Sequence, residues 1–110
     1  MIDINEVAMK VILHAGDGRM LIEEALEKMA AFNFHEAHES LKLAEKEIVA
    51  AHNAQTQVIQ SQVAGENMEY SLFFIHAQDT VMTVNSEYRM TEKMLKVFEA
   101  LEKRKDENNE

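Results

Sequence analysis

No cysteine occurs among the 110 residues. Disulfides, cysteine-ligated zinc and a cysteine nucleophile are therefore excluded. Proline is absent too, and there are only three glycines. Such a chain has almost no vocabulary for β-turns and lacks the strongest helix breaker. Basic charge is scarce. Eleven lysines and arginines face 20 aspartates and glutamates, for a formal net charge of −9. That balance argues against nucleic acid, whose phosphates want a basic face, and suits docking onto basic protein surfaces. Long apolar runs are missing. Leu72-Phe73-Phe74-Ile75 is a typical maximum, whereas a membrane span needs about 20 apolar residues. No basic stretch followed by an apolar run opens the sequence, so no signal peptide is expected. The reading is a soluble, cytoplasmic protein without membrane insertion.

What is present favours helix. Alanine, leucine, methionine, glutamate and lysine dominate, and these are strong helix formers. Spacings of three and four predict three helices, over 4–31, 33–63 and 69–103. The first carries Val7, Ala8, Val11, Ile12, Ala15, Ile22, Ala25, Leu26 and Met29 on one stripe. Gly16 and Gly18 interrupt it, which implies a bend or a close backbone contact. Asn33 is placed to cap the second helix and Gly65 to end it. Its stripe is Phe34, Ala37, Leu41, Ala44, Ile48, Ala51 and Gln55. The expected fold class is all-α, an up-down-up three-helix bundle forming one domain over 1–104. The charged segment 105–110 is expected to be a disordered tail. Three amphipathic helices leave more apolar face than one small bundle covers, and self-association is the natural remedy.

The third helix holds the first anomaly. Leu72, Ile75, Met82 and Ser86 share a stripe, and Asp79 falls in its middle. A buried lone carboxylate costs several kcal/mol unless it is paired, protonated or metal-bound. His76 lies three residues earlier, about 60° round the helix, with Thr80, Thr83 and Glu87 running below it. That puts an imidazole at the edge of a groove, where it acts either as a functional group or as a partly buried cap on the core. The second helix offers a matching oddity in Ala51-His52-Asn53-Ala54-Gln55-Thr56-Gln57, rich in neutral hydrogen-bonding groups. Such groups can cradle a phosphate or fix the register of an oligomer. His35 and His38 are one turn apart, a spacing that can hold metal, although a solvated face explains them more simply. His14 is read as structural, and the eight methionines as adaptable core filling.

Three stretches together resemble a known family. Tyr70-Ser71 followed by His76-Ala77-Gln78-Asp79 and Met82-Thr83 is similar to the lactose/cellobiose-type IIA component of the bacterial sugar phosphotransferase system. Ala15-Gly16-Asp17 with Arg19, and Ala51-His52 with Gln55-Thr56, resemble the same family in the same order. The resemblance spans the chain except its tail. It implies a homotrimer, a nine-helix bundle, in which His76 accepts phosphate from the histidine phosphocarrier protein and passes it to a cysteine of the IIB component. It implies that Asp79 lies near the three-fold axis and can share Mg2+ between subunits. Gln78, His52, Gln55 and Thr56 are then expected to support the phosphate. Gly18 stands where many relatives have alanine, and Thr80 where many have a second histidine. The sugar is expected to be a disaccharide of the cellobiose, lactose or diacetylchitobiose class. Two other readings remain beside this one: an acidic helical interaction module without chemistry, and a metal-binding bundle using His35 and His38.

Overall fold

The computed structural model describes residues 2–65 and 70–108. Three helices follow one another: α1 (Ile4–Ala30), α2 (Phe34–Val63) and α3 (Leu72–Asn108). Asp3 caps α1, its carboxylate accepting from the backbone N–H groups of Asn5 and Glu6 at 3.1 and 3.3 Å. These are two of the donors that a helix start leaves without a partner. α1 stops in a Schellman turn. The Phe32 N–H donates to the Met29 carbonyl and the Asn33 N–H to that of Lys28. Phe32 takes the left-handed position of that turn, with φ of 60°, where glycine or asparagine is usual.

Asn33 sits at the α2 cap position as expected, but its side chain makes no capping bond. The Schellman turn already uses its backbone, and its ψ of 71° is not extended. Gly65, with φ of +91°, follows the end of α2. The residue expected to open the third helix, Glu69, lies outside the described residues. Ser71 provides the cap for α3, its hydroxyl accepting from the Phe74 N–H at 3.0 Å. The same hydroxyl donates to Asn5 Oδ1 at 2.7 Å, which ties the starts of α1 and α3 together. The two therefore run parallel, with α2 antiparallel between them, in a body of 66 × 20 × 18 Å.

α3 continues past the expected limit of Lys103 to Asn108, through most of the segment read as a tail. Glu102, Lys103, Arg104 and Lys105 are good helix formers, and Lys105 places positive charge in the last turn.

The core follows the expected stripes in α1 and α2, except that Leu26, expected on the α1 stripe, is 37 % exposed at its edge. Val7, Ala8, Val11, Ala15, Ile22, Ala25 and Met29 meet Ala37, Leu41, Ala44, Ile48, Ala51 and Val58. Gly18 marks a close approach of α1 to α2. A Cβ there would come within 3.3 Å of Ile48 Cγ1 and 3.6 Å of the Ala44 carbonyl oxygen. Gly16 has no such neighbour. α3 contributes Phe74, Ala77, Val81, Val84, Tyr88, Thr91 and Leu95. Tyr88 joins α3 to α2, its hydroxyl 2.6 Å from Glu45 Oε2 and 3.1 Å from Glu92 Oε2. Burial, helped by these two carboxylates, raises its phenol well above the ordinary value.

Candidate functional site

His76 is exposed on α3, one turn beyond the Ser71 cap. Thr80, Thr83 and Glu87 lie along the same edge. That edge faces α1, because Glu87 Oε1 accepts from Arg19 Nε at 3.1 Å and from Nη2 at 2.7 Å. The two threonine hydroxyls bond within their own helix. Thr80 donates to the His76 carbonyl and Thr83 to the Asp79 carbonyl, each four residues back. Glu87 is about 16 Å along the axis from His76, so the Arg19–Glu87 pair braces α1 against α3 without touching the imidazole.

The stripe carrying Asp79 is not part of the core of a single chain. Leu72 is 70 % exposed, Ile75 44 % and Met82 67 %, and Asp79 and Ser86 are exposed with them. The expectation of a buried carboxylate is corrected for the single chain. Period-3.5 spacing occurs on two faces of α3, and the face toward α1 and α2 is the one centred on Ala77, Val84 and Leu95. The outer face holds exposed apolar side chains from Leu72 to Leu101, with Met90 and Val97 between. Asp79 makes no ion pair among the described residues.

His52, Gln55 and Gln78 lie on another side. His52 and Gln55 line a groove of about 330 Å³ between α2 and α3, with Ile48, Val49, Val81, Met82 and Asn85. Gln55 Oε1 is buried there with no hydrogen-bond partner, a state that costs about 1–3 kcal/mol. Thr56, half-buried, donates its hydroxyl to the His52 carbonyl at 2.8 Å. Gln78 follows His76 by two residues, about 160° round the helix, so it points toward the α2 side. One chain thus keeps His76 and the proposed supporting cluster on opposite edges of α3.

Two of the other histidines, His14 and His38, have structural partners. His14 meets Glu47 of α2 and His38 meets Glu99 of α3, both at 2.8 Å. His38 is thus part of a bridge between α2 and α3. No group of three metal-ligating side chains occurs among the described residues, and no described helix is long and apolar enough to cross a membrane. The reading of the sequence missed the Arg19–Glu87 brace, the Ser71–Asn5 tie and the orphaned Gln55 oxygen. Only the last had a signal, an amide on an apolar stripe.

Residues 6–99 match the family described as "PTS system, Lactose/Cellobiose specific IIA subunit". The chain belongs to this IIA family. It is 30 % identical over 99 residues to the lichenan-specific phosphotransferase enzyme IIA component of Bacillus subtilis, covering 90 % of each chain. It is 31 % identical to the lactose-specific EIIA component of Lacticaseibacillus casei, covering 90 % of this chain and 88 % of that one. The crystal structure of the cellobiose-specific enzyme IIA from Bacillus anthracis superposes with a TM-score of 0.85 at 31 % identity, over 93 % of this chain and 94 % of that one. A IIA component is a phosphocarrier, so the chain has the generic role of a phosphotransferase component in sugar uptake. Membership implies the histidine phosphocarrier protein upstream and a IIB component downstream.

Proposed function

We propose that His76 is the phosphorylated residue of this IIA component. The observation that carries the reading is an exposed imidazole on a rigid helix, in His-Ala-Gln-Asp, outside every structural ion pair that the other paired histidines make. A neutral imidazole is a competent nucleophile near neutral pH. Its nitrogen attacks the phosphorus of the carrier's phosphohistidine, an N–P bond forms as the donor's N–P bond breaks, and the donor imidazole leaves. In the second step a cysteine thiolate of IIB attacks the same phosphorus, an S–P bond forms, and His76 is the leaving group. Phosphoryl transfer asks mainly for positioning and charge stabilisation. The sugar class we favour is a β-glucoside such as cellobiose, in line with similar proteins named for lichenan and cellobiose.

The working unit in this reading is a homotrimer. Within one chain, His52, Gln55 and Gln78 lie across α3 from His76, so a second copy is needed to bring a supporting groove beside the imidazole. The exposed apolar stripe of α3 gives that copy a surface to cover. Gln55 Oε1 then has the chance of a donor. Three Asp79 carboxylates meeting on an axis repel each other unless they are neutralised. They form an all-oxygen donor set, which is the set Mg2+ takes. Bound there, the ion supplies charge neutralisation and not transfer chemistry.

Incubation with phosphoenolpyruvate and the two general upstream proteins, read by intact mass, tests the reading. The parent gains one phosphate and His76→Ala gains none; a phosphorylated His76→Ala chain would overturn the assignment. His52→Ala slows the transfer and leaves it detectable.

A further inference from the structure

We infer that Asn5 and Ser71 are positioning residues for phosphoryl transfer: the bond between them fixes the first turn of α3, the turn over which the His76 imidazole lies. The inference rests on the reading of His76 as the phosphorylated residue.

A helical side chain tilts toward the N-terminus of its helix and covers the turn before its own Cα. For His76 that turn is Leu72 to Ile75, the first of α3. The floor beneath the imidazole is thus a helix end, and helix ends fray most readily. Packing holds this one thinly. Leu72 and Ile75 are exposed, Phe73 is half-buried, and of the four only Phe74 is fully in the core.

Ser71 supplies the rest. Its carbonyl accepts from the Ile75 N–H at 3.2 Å, and its hydroxyl accepts from the Phe74 N–H at 3.0 Å. A hydroxyl has one proton and a free rotor. Here the proton is donated to Asn5 Oδ1 at 2.7 Å. That bond stops the rotor and leaves the oxygen lone pairs for Phe74, and each bond polarises the next. Asn5 is itself held, its backbone N–H donating to the Asp3 carboxylate at 3.1 Å. A relay of hydrogen bonds, Asp3 to Asn5 to Ser71 to Phe74, therefore joins the caps of two helices. The side-chain bridges between α1 and α3 among the described residues are this one and Arg19–Glu87. His76 lies between them, about 8 Å along the axis from Ser71. Placement matters because an error of about 1 Å at the reacting atoms can cost about 100-fold in rate.

Rapid mixing of the full chain with the phosphorylated upstream carrier, over a range of carrier concentrations, tests the role. Asn5→Ala breaks the tie and leaves the Ser71 cap in place. Its maximal transfer rate falls about tenfold, while the half-saturating carrier concentration stays within about twofold. It melts within about 5 °C of the parent, and amide exchange at Phe74 and Ile75 quickens. Ser71→Ala slows transfer at least as much, and Asn5→Ala adds nothing in a Ser71→Ala background. Ser71→Thr keeps the hydroxyl and retains both the rate and the slow exchange. Equal maximal rates for the parent and Asn5→Ala overturn the inference. So does a loss confined to the half-saturating concentration, which makes these residues docking contacts. Additive losses in the double variant overturn the relay. The final phosphate content reads His76 separately. A His76→Ala chain that takes phosphate ends the His76 reading and this role with it. Parent rates in Asn5→Ala, with His76→Ala inert, end this role alone.

Discussion

α3 has two faces of similar period and opposite fate. The inner face uses small and β-branched side chains, Ala77, Val81 and Val84, with Leu95, all covered by α1 and α2. The outer face uses Leu72, Ile75, Met82, Met90, Val97 and Leu101, each 44 % exposed or more, broken by Asp79, Ser86 and Lys93. The difference teaches that hydrophobic spacing alone does not say which partner a stripe has. The inner face is buried along its length, each of these side chains 3 % exposed or less. The outer one combines flexible methionines with charges at intervals, as a surface does that meets another copy and fixes its register by polar layers.

The comparison breaks most visibly at Leu95, which is fully buried. Leu95→Ala costs about 2–5 kcal/mol through lost transfer energy and a cavity. Denaturant unfolding measures it. Met82→Ala, on the exposed stripe, leaves the unfolding of a single chain within about 0.5 kcal/mol and, in the proposed trimer, raises the concentration at which the assembly dissociates. If both changes cost the same in a dissociated chain, the two faces are not distinct.

A second contrast concerns Asp79. Exchanging a buried charged cluster for apolar side chains of similar volume is often neutral or stabilising by about 1–4 kcal/mol. If the proposed trimer gathers three Asp79 carboxylates on its axis, Asp79→Leu is expected to melt no lower than the parent and to lose any response to magnesium or chelators. A clear drop in melting temperature at equal concentration, with chelator response unchanged, would place the carboxylate in a pairing of its own.

The smallest effect sharpens the inner face. Tyr88 has a phenol pKa raised by burial in the folded chain. Its neutral form is favoured on folding, so its contribution is whole below the ordinary pKa of about 10 and is lost as pH rises beyond it. Tyr88→Phe removes that part of the alkaline slope. Melting curves between pH 8 and 11 check it, and an unchanged slope in the variant would assign the alkaline loss to other groups.

Much of this architecture was legible from spacing. The stripes of α1 and α2, the role of Gly65 and the polar groups on α2 all emerge from the order of residues, because local helix periodicity and capping are short-range effects. On α3 the spacing favours the outer face, because Leu72, Ile75 and Met82 are larger than Ala77 and Val84, and size is a poor guide where helices approach closely. The end of α3 is hidden in the sequence because a run of charged side chains resembles a frayed tail, although lysine and glutamate sustain a helix. The separation of His76 from His52 and Gln55 is a matter of azimuth around a packed helix, which no motif encodes.

Gly18 acts as a gauge for the bundle. The atom that a Cβ would approach most closely there is the Cγ1 of Ile48, a movable side-chain atom, while the Ala44 backbone stands at ordinary contact distance. A methyl group is therefore admissible if Ile48 turns or the helices part by a few tenths of an ångström. Position 18 accepts glycine or alanine as two settings of one spacing, and anything larger forces α1 and α2 apart along the seam that carries most of the core.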